Sequence, residues 1–172
     1  MLNINVLHTS QEGYLRDAMR NTCSSVYIVA TGPSPESGNA ITITSFTVVS
    51  LEPAIILFCV NKTSRFAGEI ILNEKFSVNF MHCEQKRIAE ICSKSDVNEK
   101  FKHANWIFKN QFAYLSDSNS VLLCSKISVE ETGSHMIVQG AVINVLGGEN
   151  KPPLLYHNRS YAEITSPVES FI

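Results

Sequence analysis

Hydrophobic and polar positions change period several times along the chain, and each change marks an element. Ser10 precedes a segment in which Tyr14, Leu15, Ala18 and Met19 fall on one helical face, with Arg16, Asp17 and Arg20 on the other. Residues 26–31 are β-branched and aromatic, as a strand requires, and the turn-rich residues 32–39 stop it. Residues 40–46 alternate apolar with hydroxyl side chains, which predicts a strand carrying hydroxyls along one face. Residues 54–60 are apolar throughout and predict a strand buried on both faces.

After the polar break Asn61-Lys62-Thr63-Ser64, residues 65–73 predict a helix with Phe66, Ala67, Ile70 and Ile71 on one side. Residues 76–80 alternate again as a strand. Residues 83–94 carry the clearest helical pattern, Ile88, Ala89, Ile91 and Cys92 lying against Glu84, Lys86, Arg87 and Glu90. Residues 95–120 read as mixed and loop-like, anchored by Phe101, Trp106 and Phe108. Two long strands, 121–130 and 135–146, joined across Glu131-Thr132-Gly133-Ser134, predict a hairpin. Strands dominate, separated by turns or by one short helix. That order favours a β-barrel with helices packed outside it over a doubly wound parallel sheet.

Composition narrows the function. Of 172 residues, 44% are hydrophobic and 17% charged, enough for one well-packed domain. The net charge is −2 and the basic residues are scattered, so no nucleic-acid partner is expected. Five cysteines, an odd number without a C-x-x-C pair, read as buried free thiols in a reducing cytosol. The first residues show no secretory signal, and the longest apolar run falls far short of the ~20 residues of a membrane span. A cytoplasmic protein with no membrane partner is expected.

Nucleophilic and metal chemistry find little support. No G-x-S-x-G elbow occurs, and the histidines are isolated, without an H-x-x-x-H or H-E-x-x-H pair, so no metal is expected. Two segments remain. Asn61-Lys62-Thr63-Ser64-Arg65 puts two cations and three polar side chains at a helix start, which suits a phosphate, although a polar N-cap alone reads the same way. The hydroxyl strand Thr42-Ile43-Thr44-Ser45-Phe46 offers donors, close backbone approach and an apolar wall to a flat heteroaromatic ring; taken alone it reads first as a half-exposed Thr-rich strand. His135, after Gly133-Ser134, is a pocket histidine or a surface one.

In order and spacing these segments resemble the flavin reductase-like family of FMN-binding split barrels, which includes the reductase components of two-component flavin monooxygenases. The resemblance rests on several short stretches along the chain. They are Arg16-Asp17-Ala18-Met19-Arg20, the strand at 26–31, the Thr42–Phe46 block, Ser50-Leu51-Glu52-Pro53 before the apolar strand, and Asn61-Lys62-Thr63-Ser64. Further on come residues 76–79, the glutamine-led helix at Gln85, Gly133-Ser134-His135 and residues 153–157. It covers residues 14–161, and implies one domain with residues 1–9 and 162–172 as terminal extensions. The implied fold is mainly β, a Greek-key split barrel with a few flanking helices.

The resemblance implies an NAD(P)H:flavin oxidoreductase. It would bind flavin (FMN first, FAD admitted), take a hydride from NADH or NADPH at flavin N5, and supply reduced flavin to a flavin-dependent monooxygenase, as a homodimer. Carried across, Thr42, Ile43, Thr44 and Ser45 contact the ring edge, and Asn61, Lys62, Ser64 and Arg65 hold ribityl and phosphate. His135 matches a histidine near the nicotinamide and is the catalytic candidate, and Tyr161 an aromatic of the same pocket. The chain departs from the family pattern at Ser134, Phe66 and Ser24-Ser25. Those departures keep two alternatives open: a flavin-binding carrier or sensor without turnover, and a plain β-barrel interaction domain.

Overall fold

The computed structural model describes residues 10–94 and 96–164; residues 1–9 and all but three of 162–172, the expected terminal extensions, lie outside the described residues. Helix α1 (Gln11–Arg20) begins at Ser10, whose hydroxyl accepts from Gly13 N, as the sequence pattern requires. Strands β1 (Cys23–Ser25), β2 (Tyr27–Thr31), β3 (Asn39–Ile43), β4 (Thr47–Leu51) and β5 (Ala54–Asn61) follow. Helix α2 (Arg65–Leu72), capped by Ser64, leads to β6 (Lys75–Phe80). A 3₁₀ turn (Cys83–Gln85), α3 (Lys86–Cys92) and α4 (Val97–Lys100) come next. The chain then forms β7 (Trp106–Lys109), β8 (Phe112–Leu115), β9 (Ser120–Thr132), β10 (His135–Gly147), β11 (Leu155–His157) and β12 (Ser160–Ala162).

Seven strands form one antiparallel sheet in the order β3-β2-β6-β9-β10-β5-β4. Its edges are β3 and β4, yet only Thr44, Ser45 and Phe46 separate them in the chain. Six spacings of about 4.8 Å would hold the edges of a flat sheet roughly 29 Å apart. Four residue steps reach at most about 14 Å. The sheet therefore curls until its edges meet, which is a split barrel. Ser45 fastens the seam: its Oγ donates to Cys59 O at 2.9 Å and accepts from Cys59 N at 3.1 Å. Pairing between β4 and β5 ends at Thr47↔Leu57, so at Cys59 the serine stands in for a strand partner.

Strand alternation divides the core in two. Val29, Phe58, Val60, Phe76, Val78 and Val138 fill the barrel, closed by Phe66, Ala67 and Ile70 of α2. Ile28, Ala30 and Ala40 point the other way and pack with Ile88, Ala89 and Cys92 of α3 and with Ala113 and Leu115 of β8. Packing α3 against β3 in this second layer builds one wall of the site.

Four expectations need correction. Strand β5 is not buried on both faces: Ile56, Phe58 and Val60 are buried while Ile55, Leu57 and Cys59 are half-buried, the alternation of a one-sided strand. The hydroxyl strand ends at Ile43, and the chain re-forms a strand only at Thr47. Residues 95–120 hold α4 and the β7–β8 hairpin rather than loop. Of the five cysteines, all free, only Cys92 and Cys124 are buried; Cys23 is exposed, and Cys59 and Cys83 are half-buried.

Candidate functional site

A cleft of about 840 Å³ opens where the ends of β3 and β5 and the start of β10 converge, roofed by α3 and the β11–β12 hairpin. Its volume falls within the ~300–1,000 Å³ of small-molecule sites. Register explains the convergence. His135 of β10 pairs directly with Asn61 of β5, so both sit at the same level of the barrel rim. Tyr156 pairs with Tyr161 across β11 and β12, and their rings meet edge to face at 5.4 Å. The two-residue turn of that hairpin, Asn158-Arg159, has both residues at positive φ (45° and 64°).

Of the residues expected at a site, Thr42, Ile43, Thr44, Ser45, Asn61, His135 and Tyr161 line this cleft. Lys62, Ser64 and Arg65 continue the chain from Asn61 but are not among its walls. Lys62 pairs with Glu131 at 3.0 Å, and Ser64 Oγ accepts from Ala67 N at 3.2 Å as the N-cap of α2.

The hydroxyls divide by what they already hold. Thr42 Oγ1 donates to Ala89 O at 2.6 Å, tying β3 to α3, and Ser45 Oγ is taken by Cys59. Thr44, exposed, has no hydrogen-bond partner among the described residues. Asn61 Oδ1 accepts from both the amide and hydroxyl of Thr63, which fixes the turn after β5. His135 Nδ1 lies 2.9 Å from Ser134 Oγ, so Ser134, one of the departures noted in the sequence, is placed to orient the ring. Burial, and next the carboxylate of Glu90, raise the Tyr161 phenol above its ordinary value, so it stays neutral at physiological pH.

Lys86, Glu90, Ser93 and Lys94 also line the cleft, at spacings that place them on one stripe of α3 and its C-cap. Tyr156, Arg159 and Ser160 of the hairpin and Val26, Ile41, Cys59 and Val60 complete it. The α3 stripe could have been found in the sequence as the polar counterpart of Ile88 and Cys92. Lys86 lies 3.8 Å from Glu90, whereas Lys94 and Arg159 have no carboxylate within ion-pair distance among the described residues. The charged walls are therefore three cations to one anion. An anionic, partly aromatic ligand fits: Val26, Ile41, Ile43 and Val60 give an apolar wall, Thr44 a free hydroxyl, and the edge strand β3 unpaired main-chain groups.

Among the described residues no group of three His, Cys, Asp or Glu side chains could hold a metal, and no helix is long and apolar enough to cross a membrane.

Comparison with known proteins agrees with this geometry. Over 151 residues the chain is 28% identical to the reductase component of an FADH(2)-dependent resorcinol hydroxylase from Rhizobium sp., covering 85% of this chain and 83% of the relative. Over 154 residues it is 28% identical to an FMN reductase (NADH) from Stutzerimonas stutzeri, covering 88% and 87%. In fold it is similar to the crystal structure of a flavin reductase domain protein from Arthrobacter sp. FB24, with a TM-score of 0.86 at 20% identity over 94% of this chain and 99% of the other. The family model for the flavin reductase like domain matches residues 19–165. The chain belongs to the flavin reductase like domain family.

Proposed function

We propose that this protein is an NAD(P)H:flavin oxidoreductase whose flavin lies in the 840 Å³ cleft, its ring along the main chain of residues 42–45 and its phosphate toward residues 61–65. The observation that carries the reading is the convergence of β3, β5 and His135 on a single cationic cleft with an apolar wall. FMN is the first choice and FAD the second; NADH or NADPH is the donor. The flavin supplies the redox chemistry, accepting a hydride at N5 from the nicotinamide.

The chain's part is placement. Ile43 and Val60 set a flat wall, and Thr42 and Ser45, each locked by a protein acceptor, hold the edge strand still. Thr44 and the unpaired main-chain groups of β3 offer donors where negative charge develops on the ring. His135, held through Nδ1 by Ser134, presents its other nitrogen at the rim, where a nicotinamide would enter. No side chain need act as acid or base, because the bound flavin would supply direct hydride transfer and the chain need only hold the two rings within reach of one another.

Reduced flavin would pass to a flavin-dependent monooxygenase in the cytoplasm. A homodimer is supported by exposed apolar side chains on the barrel, Val48, Val49 and Leu51 of β4 and Ile143 and Val145 of β10. Mixing the purified protein with FMN and NADH under argon tests the reading. Rapid bleaching of the yellow flavin band is expected. A shifted but stable spectrum would instead mean a carrier or sensor, and an unaltered one a plain interaction domain.

A further inference from the structure

A second hollow of about 230 Å³ adjoins the cleft and shares Thr44, Tyr156 and Arg159 with it. Its remaining walls are Arg16, Met19 and Arg20 of α1, with Thr22, Ser24 and Asn158. This is where the Arg16–Arg20 stretch goes, and the cleft makes no use of it. Among the described residues every charged wall of the hollow is an arginine, in a chain whose net charge is −2. The helix arginines have carboxylate neighbours on α1 itself, Arg16 with Glu12 and Arg20 with Asp17 at 2.9 Å. Such exposed i,i+4 and i,i+3 pairs orient a guanidinium without exhausting its five donors. Arg20 Nε is buried and has no acceptor among the described residues, a donor that a bound anion would satisfy. Arg159 has no carboxylate partner at all among the described residues and faces both hollows.

Size points to part of a ligand. At 230 Å³ the hollow lies below the ~300–1,000 Å³ of sites that enclose a whole small molecule. Three guanidiniums with the hydroxyls of Ser24 and Thr44 match phosphate oxygens, which guanidinium takes in bidentate fashion, while the Thr22 hydroxyl is spent on Met19 O at 2.7 Å. The hollow also stands apart from the turn at residues 61–65, the candidate seat of the flavin's own phosphate: none of those residues lines it. The molecule thus offers two anion positions at one cleft.

We infer that the hollow walled by Arg16, Arg20 and Arg159 is a phosphate subsite for the adenylate half of a dinucleotide whose redox ring lies in the main cleft. This rests on the flavin reductase reading of that cleft. The dinucleotide is the nicotinamide donor or FAD, and the chemistry recognised is the same.

The test compares wild type with the Arg16→Gln/Arg20→Gln double variant, Arg16 being exposed and Arg20 half-buried on α1. ADP-ribose, which carries the phosphates but no redox ring, is titrated calorimetrically. Wild type is expected to bind it, and the double variant about 10-fold or more weakly, the loss of charge-assisted hydrogen bonds. Steady-state kinetics then names the source. If the donor supplies the adenylate, the preference for NADH over reduced nicotinamide mononucleotide falls about tenfold in the variant. If FAD supplies it, the preference for FAD over FMN falls instead. ADP-ribose binding that is absent in wild type, or equal in the two proteins with both preferences retained, overturns the subsite. A wild type that fails to reduce FMN or FAD with NADH or NADPH overturns the reductase reading separately, whatever ADP-ribose does.

Discussion

Two threonines two residues apart on the cleft wall should behave in opposite ways. Thr42→Val keeps shape and strand preference but removes the donor to Ala89 O, a 2.6 Å bond between β3 and α3. That carbonyl keeps a second donor, Ser93 N at 3.0 Å, so no acceptor is orphaned. The cost is then that of one ordinary hydrogen bond, about 1 kcal/mol, with no desolvation penalty added. For a domain of this size that lowers Tm by about 2–4 °C. Flavin affinity should move by less than about threefold, because the lost hydroxyl never faced the ligand. Thr44→Val removes an exposed hydroxyl bonded to nothing among the described residues. Tm should stay within about 1 °C, while the Kd for FMN rises about 2–10-fold, the worth of one ligand hydrogen bond. Differential scanning fluorimetry and fluorescence titration of FMN measure both in parallel. If Thr42→Val weakens flavin tenfold at unchanged Tm, the hydrogen bond to Ala89 is not what that hydroxyl does, and the division of roles along β3 is wrong.

Three further outcomes follow from the packing. A Cβ at Gly140 would lie 2.4 Å from Phe76 Cζ and 3.3 Å from Cys124 Cβ, inside a barrel where the Phe76 ring is already held against Phe58; Gly140→Ala should cost about 1–3 kcal/mol in urea unfolding. Burial pushes the Cys124 thiol up to about 12 from its ordinary 9.0. The folded state then keeps a proton that the unfolded state loses, so its stabilising share is complete below pH 9 and declines as pH rises toward 12. Cys124→Ala should flatten the fall in stability by about 1 kcal/mol per pH unit above 9. Lys100, lowered by burial, contributes in the opposite sense in both proteins and cancels in the comparison. Arg159→Gly relieves a left-handed residue at φ 64° and should leave Tm unchanged or up to a few degrees higher while weakening nucleotide binding; a lower Tm would show that the arginine is structural.

How much of this was legible depended on the range of each interaction. Capping by Ser10 and Ser64, the presence of β6 and the β9–β10 hairpin rest on neighbours in sequence, and all appear where the pattern puts them, although β6 buries Ser77 and Asn79 as fully as Phe76 and Val78. The β7–β8 hairpin escaped because its turn residues, Asn110 and Gln111, adopt positive φ without the glycine that signals such a turn. Strand β4 escaped because neither face is buried in the chain by itself, so no alternation is written there. At the site, the positions were legible and the jobs were not. Thr42 and Ser45 line the cleft as expected, yet their hydroxyls are spent on Ala89 and Cys59, partners 47 and 14 residues away. Lys94 and Arg159 reach the cleft only because α3 and the terminal hairpin fold over β3, which no local pattern encodes.

The most direct measurement is a crystal structure of the protein saturated with FMN. The account requires ring density stacked along residues 42–45 within the cleft, with phosphate density at the turn beginning at Asn61. Density for the ring on any other surface, or an empty cleft in crystals that still oxidise NADH when FMN is added, would contradict it.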